Sequence, residues 1–120
     1  MPSHAPAGTQ PSALDERAHL ELLRLIGERS ELTQRELAME LGVSLGKANY
    51  CLRALIARGL VKAENYRKSD NKSAYLYLLT PRGIARKMEL TRMFLARRVR
   101  EYEHLKLEIE QLRRETEAAE

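Results

Sequence analysis

A short polar segment, GVSLGKANYC at residues 42–51, carries side chains suited to recognising a nucleic acid. Asparagine can pair with adenine through two hydrogen bonds, and lysine or arginine can bind guanine or phosphate. Lys47 and Asn49 supply such groups, and Arg53 follows one turn later. Gly46 and Asn49 are poor helix formers, so their position near the start of a predicted helix indicates a face adapted to a ligand. The alternative is that these residues are simply exposed to solvent.

The candidate DNA-binding set also includes a helix-capping serine, a tyrosine and the cations of a predicted loop. Helix N-termini attract phosphate, so Ser44 is expected both to cap its helix and to contact phosphate. Tyr50 can contact a phosphate or the apolar edge of thymine, and Gly46 allows the backbone to approach DNA closely. The loop cations would supply affinity more than sequence choice, or form only a solvated loop. The candidates are Ser44, Gly46, Lys47, Asn49, Tyr50, Arg53, Arg67, Lys68 and Lys72.

Two helices joined by a tight turn are predicted to hold this segment, with a third helix before them. Residues 14–28 show a broad apolar face typical of an amphipathic helix. Thr33 and Glu36 have the spacing of a capping box, which predicts the start of the second helix. Gly42 is expected to end that helix in the left-handed conformation. The pattern is that of a helix-turn-helix.

The third helix is predicted to begin after its N-cap, Ser44, and to stop at Gly59. At 100° per residue, five apolar positions fall on one face, which is expected to be buried. These positions are Leu45, Ala48, Leu52, Leu55 and Ile56. Cys51 flanks that face, and we interpret it as a small packed residue, although some regulators sense oxidants through such a thiol.

A β-hairpin is predicted after the third helix. Leu60 and Val61 are typical of a short strand, and residues 74–79 (AYLYLL) of a second one, with Ser-Asp-Asn turn chemistry between them. The order of three helices and a basic hairpin is that of a winged helix-turn-helix. Thr80 and Pro81 then form a helix-start signature, and one helix could run from there to about residue 117.

The long last helix has apolar residues at alternating spacings of four and three, which is a heptad seam. Two seam positions are occupied by polar residues, Thr91 and Arg98. Such a stripe is too long to be buried on a domain of this size, so the helix is expected to pair with its copy in a second chain. The alternative is a helix that folds back or frays. The predicted dimerisation residues are Ile84, Met88, Leu95, Tyr102, Leu105, Ile109 and Leu112.

Charge is unevenly distributed along the 120 residues, whose formal net charge is +4. Residues 44–100 are strongly basic, whereas residues 1–43 and 101–120 are acidic. A basic middle suggests a surface that binds a polyanion, although a solvated charged surface is the alternative. A single cysteine excludes an internal disulfide, and the spacing of the three histidines suggests no metal site.

The sequence contains no signature of an enzyme, a cofactor site or a metal site, so we expect none of the three. No apolar run approaches the length of a membrane span, and the first residues do not resemble a secretion signal, so a cytoplasmic protein is expected. Three divisions are predicted: a disordered tail at 1–13, the winged helix-turn-helix at 14–80 and a dimerisation helix at 81–120. The fold class is mainly α with a small β-hairpin and a coiled-coil-like C-terminal helix.

The runs SLGKANYCL and YLYLLTPRGI, within a match over roughly residues 14–110, closely resemble MarR-family regulators associated with bacterial exopolysaccharide loci. The resemblance implies a dimeric bacterial DNA-binding transcriptional regulator, with the recognition helix at 44–58 and the wing at 66–73. The exopolysaccharide association comes from gene neighbourhood. Larger MarR regulators have more helices around the dimer interface, where phenolic effectors often bind, so a small-molecule effector stays open here.

The function predicted from the sequence is sequence-specific binding of double-stranded DNA by a homodimer. The direction of regulation, the operator sequence and any regulatory oxidation of Cys51 are left open. Two alternatives remain at this point. One is a winged-helix module that binds other proteins, and the other is a winged helix that binds RNA.

Overall fold

The computed structural model describes residues 13–67 and 73–119. It confirms the predicted fold class, a mainly helical chain with one antiparallel hairpin and a long C-terminal helix. The elements in chain order are α1 (Ala13–Glu28), α2 (Gln34–Leu41), α3 (Leu45–Ala57), β1 (Val61–Arg67), β2 (Ser73–Leu79) and α4 (Pro81–Ala119). The predicted N-terminal tail lies outside the described residues, apart from Ala13, where α1 begins.

Local capping interactions set the ends of α2 as the sequence predicts. The Thr33 hydroxyl accepts a hydrogen bond from the Glu36 backbone N–H at 3.1 Å, and the Glu36 carboxylate accepts one from the Thr33 N–H at 2.8 Å. This is the expected capping box, which satisfies two N–H groups that the helix leaves unpaired. Leu32 and Leu37, at the hydrophobic-staple positions, are both buried.

The core of the unit that ends at Met88 lies between α1, α3 and the hairpin, with α2 packed against α1 and α3. Leu22, Leu23 and Leu55 are completely buried there. Burying an aliphatic side chain of this size contributes about 1.5–3 kcal/mol. The loop after α1 is also hydrogen-bonded to the hairpin, because the Tyr77 N–H donates to the Ser30 carbonyl oxygen at 3.2 Å.

The prediction for the buried face of α3 is wrong at two positions. Leu45 and Ile56 are 41% and 37% exposed, whereas Cys51, which we placed at the edge of that face, is only 3% exposed. The elements that pack on α3 cover a stripe centred on Leu52. Leu45, at the first position of the helix, and Ile56 lie at the margins of that contact.

The hairpin is longer than predicted, because β1 extends from Val61 to Arg67 instead of ending at residue 61. Its register pairs Val61 with Leu79 and Arg67 with Ser73. Arg67 and Ser73, which we expected in the loop, therefore form the last pair of the ladder. Backbone pairing with β2 extends the strand through a polar sequence of low β-propensity.

The helix α4 begins where the Thr80-Pro81 signature predicts. The Thr80 hydroxyl accepts a hydrogen bond from the Gly83 N–H at 3.0 Å and donates one to the Gly59 carbonyl at 2.6 Å. A Cβ added to Gly83 would overlap the Leu60 carbonyl oxygen and lie 3.0 Å from the carbonyl carbon. Glycine is therefore required where the first turn of α4 meets the start of β1. Arg86 on this helix also pairs with Glu16 of α1 at 3.9 Å.

The predicted heptad seam lies along α4, which has 39 residues and is about 58 Å long at 1.5 Å per residue. All seven seam residues are exposed in the single chain, each by 43–63%. They belong partly to the first unit and partly to the second, which comprises residues from Glu89 onward. Within each unit this apolar stripe is uncovered.

Candidate nucleic-acid interface

The turn between α2 and α3 takes the geometry that a helix-turn-helix requires. Gly42 has a φ of 71°, in the left-handed region, and the Val43 N–H donates to the Ala38 carbonyl at 3.0 Å. A Cβ at Gly42 would meet no atom within 4 Å, so conformation, not space, favours glycine here. This turn fixes where α3 starts relative to α2.

The start of α3 is capped by a side chain, as the sequence predicts. Ser44 has an extended backbone, and its hydroxyl accepts a hydrogen bond from the Lys47 N–H at 3.0 Å. The first turn contains no acidic residue. The partial positive charge of a helix N-terminus is therefore not offset there, and Lys47 adds a full positive charge. An anion such as phosphate is favoured at this end of α3.

The buried and the exposed residues of α3 form two stripes that are offset by two residues. The first, at spacings of three and four residues, is buried and consists of Ala48, Cys51, Leu52 and Leu55. The second has the same spacing, is partly or fully exposed, and consists of Gly46, Asn49, Tyr50 and Arg53. We call this second stripe the α3 outer face. It contains no large aliphatic side chain and no acid.

Lys47 lies beside the α3 outer face and is associated with it through Tyr50. The Lys47 ammonium nitrogen is 5.5 Å from the centroid of the Tyr50 ring, a cation–π contact. The Tyr50 side chain is 61% exposed. The structure thus brings together six of the predicted site residues, Ser44, Gly46, Lys47, Asn49, Tyr50 and Arg53, on the first three turns of one helix.

The cations expected at the hairpin tip are described only in part. Arg67 is the last residue of β1, and Lys68 and Lys72 lie outside the described residues. Near the start of β1, Lys62 donates a hydrogen bond to the Glu64 carboxylate at 2.8 Å. That hydrogen bond and the charge of Glu64 raise the pKa of Lys62. Glu64 therefore offsets the positive charge of this strand near its start.

One exposed residue beside the α3 outer face was not among the predicted DNA-binding residues. Leu45 follows the Ser44 cap directly and is nearly half exposed. Its spacing of three and seven residues from Ala48 and Leu52 assigned it to the core, so periodicity could not identify it. Its position next to a helix cap was the available signal. An apolar side chain here can contact the methyl group of thymine.

Three further features of the described part of the chain bear on its chemistry. No group of three or more acidic, histidine or cysteine residues there is arranged to hold a metal ion. The Cys51 thiol is buried. Among the helices of the described ranges, none combines the length and the apolar character needed to cross a membrane.

A comparison with protein families supports the same interpretation of the three helices. Residues 15–62 match a family profile described as winged helix-turn-helix DNA-binding. This segment therefore has a winged helix-turn-helix fold. The match includes both stripes of α3 and ends within β1. A comparison with curated proteins found no match.

Solved structures share the fold of this winged-helix domain at low sequence identity. A PadR-like transcriptional regulator from Bacillus cereus has 19% identity and a TM-score of 0.63, over 73% of this chain and 92% of that one. A Streptococcus transcriptional regulator has 17% identity and a TM-score of 0.65, over 78% and 99%. MarR from E. coli, in its apo form, has 25% identity and a TM-score of 0.54, over 62% and 54%. The chain therefore spans nearly the whole length of the first two proteins but about half of MarR.

Proposed function

We propose that this protein is a transcriptional regulator that binds specific sequences in double-stranded DNA as a homodimer. The observation that carries the proposal is the α3 outer face on the second helix of a helix-turn-helix, where Asn49, Tyr50 and Arg53 follow the exposed Gly46 by one to two turns. In this motif the second helix enters the major groove, and residues near its N-terminus meet base edges.

Each residue has a distinct role in the proposed complex. Asn49 pairs with adenine, while Lys47 and Arg53 bind guanine or phosphate. Gly46 lets the helix backbone approach the DNA, and Tyr50 contacts phosphate or thymine. Ser44 presents the helix N-terminus to a phosphate. The hairpin cations Arg67, Lys68 and Lys72 bind the backbone of the DNA and add affinity.

Pairing of the C-terminal helices completes the proposed regulator. The seam residues of α4 are exposed in the single chain, and burying them against a second copy removes apolar surface from water. A dimer carries two recognition helices, which can read two half-sites about one turn of DNA apart. Binding at such a site then blocks or assists RNA polymerase.

The similar solved structures support regulation of transcription as the biological outcome. The B. cereus protein is a PadR-like transcriptional regulator, and the Streptococcus protein is also a transcriptional regulator. The third similar structure is MarR from E. coli. The runs SLGKANYCL and YLYLLTPRGI support a narrower proposal, that the regulated genes include those for exopolysaccharide synthesis. Binding to DNA upstream of such genes would test this narrower proposal separately.

The experiment is fluorescence anisotropy on a labelled duplex from the region upstream of the protein's own gene. It is run with excess random DNA and over a series of salt concentrations, because phosphate contacts make affinity fall with salt. Asn49→Ala combined with Arg53→Ala should weaken specific binding about 30-fold or more, since each of the two base contacts contributes about 1–3 kcal/mol. Gln111→Ala combined with Arg114→Ala is the matched control, because it removes the same kinds of group from an exposed part of α4.

Specific binding that survives random DNA, is lost in the α3 variant and persists in the control supports the proposal. If random DNA abolishes binding, selection of bound fragments from the whole genome identifies the operator. Recovery of nothing above the non-specific background rules out the proposal and favours a protein-binding module. Preferential competition by hairpin or single-stranded RNA instead identifies an RNA-binding winged helix.

A further inference from the structure

The second half of α4 contains two consecutive heptads whose flanking charges are ordered. Tyr102 and Ile109 occupy the a positions of the seam, and Leu105 and Leu112 occupy the d positions. The residue before each a position, called g, is then an acid, and the residue after each d position, called e, is a base. The g residues are Glu101 and Glu108, and the e residues are Lys106 and Arg113.

We propose that two copies of this chain pair through residues 101–115 of α4 as a parallel, in-register coiled coil. The inference rests on the dimerisation in the proposed function and adds its orientation and register. In a parallel pair, each g residue faces the e residue of the next heptad of the other helix. Glu101 then faces Lys106 of the partner subunit, and Glu108 faces Arg113 of the partner subunit. The two-fold symmetry makes four such ion pairs.

An antiparallel pair would bring like charges together along the same seam. In that arrangement g residues flank g residues and e residues flank e residues. Glu101 and Glu108 would face acids, and Lys106 and Arg113 would face bases. Like-charge contacts of this kind disfavour an arrangement by as much as opposite charges favour it. The flanking residues therefore select the parallel orientation.

The charges that select the orientation are largely available for contacts between helices. Within the described residues, Lys106, Glu108 and Arg113 form no ion pair. Glu101 pairs with Arg98 of its own helix at 2.9 Å, in an exposed contact. Arg98 occupies a d position, where parallel pairing brings two arginines near each other. Glu101 offsets part of that charge, and close pairing begins after Arg98.

The overall charge of α4 argues in the opposite direction. Residues 81–100 contain seven basic residues and one acid, whereas residues 101–120 contain three basic residues and seven acids. This segregation alone would attract two antiparallel helices. At physiological ionic strength, however, charges farther apart than about 8 Å are largely screened. The e and g residues lie nearest to the partner helix, so their charges are screened less than those on the outer faces of α4 and weigh more in the orientation.

The seam residues themselves fit a two-stranded pair. A β-branched residue at a with leucine at d favours two strands in parallel coiled coils, and Ile109 with Leu112 has this combination. Leu107 lies opposite the seam and stays exposed in such a pair. Because each winged-helix domain precedes α4 in the chain, parallel pairing joins both domains to the same end of the coiled coil.

Disulfide cross-linking of the full chain tests the orientation directly. In a Cys51→Ala background, Leu112→Cys places one thiol per chain at a d position, where two copies lie adjacent in a parallel pair. Arg114→Cys, on the outer side of the helix, is the matched control. After mild oxidation, we expect nearly complete cross-linking of Leu112→Cys and several-fold less cross-linking of Arg114→Cys. Equal yields for the two variants would overturn the proposal.

Charge reversal tests the ion pairs without any new thiol. Glu101→Lys with Glu108→Lys makes all four of these flanking positions basic, and we expect the dimer dissociation constant to rise about tenfold or more. Adding Lys106→Glu and Arg113→Glu restores opposite charges and should restore the dimer. The control for net charge, Glu103→Lys with Glu110→Lys, changes positions away from the seam. Sedimentation equilibrium measures all of these dissociation constants.

Failure of this inference can be told apart from failure of the proposed function. A wild-type dimer that binds its operator but resists charge reversal overturns the parallel arrangement alone. A wild-type chain that is monomeric at micromolar concentration overturns both the pairing and the dimeric part of the proposed function. If Leu112→Cys cross-links as expected while no specific DNA is bound, the parallel pairing holds and the DNA function fails.

Discussion

Replacing Gly46 by alanine should strengthen the fold and weaken DNA binding at the same time. Gly46 is the second residue of α3, and its φ lies outside the left-handed region that disfavours a side chain. An added Cβ would have no neighbour nearer than the Ser44 hydroxyl oxygen, at 4.0 Å. Alanine therefore fits without strain, and its higher helix propensity should add about 0.5–1 kcal/mol to the free energy of unfolding. For a domain of this size, the melting temperature should rise by about 3–6 °C.

The same methyl group lies on the α3 outer face, where the proposed function requires the helix backbone to approach DNA. It would occupy space between backbone and groove, and we expect the dissociation constant for the operator to rise about tenfold, or 1.4 kcal/mol. Thermal unfolding followed by circular dichroism measures the first effect on the free protein. Fluorescence anisotropy with the operator duplex measures the second effect on the complex.

A matched control separates the effect of helix propensity on stability from the effect of the added methyl group on DNA binding. His104→Ala also replaces a weaker helix former by alanine, at an exposed position of α4. It should stabilise the chain slightly and leave the affinity for DNA unchanged. The reasoning is refuted if Gly46→Ala binds DNA as tightly as the wild type, because the start of α3 would then not approach the groove. A fall in melting temperature would refute the packing argument instead.

Two further predictions concern stability. Gly83→Ala should lower the free energy of unfolding by about 1–3 kcal/mol in urea denaturation, because its Cβ would overlap the Leu60 carbonyl group; a variant as stable as Gly46→Ala would contradict this. Burial, and then the charge of Tyr75, raise the pKa of Tyr77. The folded state therefore favours the neutral phenol, and its contribution to stability is complete below about pH 10 and lost at higher pH. Tyr77→Phe should flatten the alkaline fall in the free energy of unfolding, and an unchanged fall would refute that assignment.

The sequence by itself determined the boundaries at which local interactions decide the structure. The Thr33 capping box, the left-handed Gly42, the Ser44 cap and the Thr80-Pro81 start each depend on atoms within about four residues. Such interactions are nearly independent of the rest of the fold, so their residue types predict them. The side chains of the α3 outer face were also identifiable, because helical periodicity separated them from Ala48, Leu52 and Leu55.

The tertiary structure decided which apolar positions are buried and where close approaches occur. The sequence spacings of Leu45 and Cys51 are compatible with either burial or exposure. The packing of neighbouring elements buries Cys51 and leaves Leu45 exposed. Gly83 has no sequence signal for its role, because its need to be glycine comes from Leu60, which is 23 residues earlier in the chain. The extension of β1 to Arg67 likewise depended on pairing with β2. Local chemistry fixes where helices begin and end, whereas burial and strand pairing depend on residues far apart in the chain.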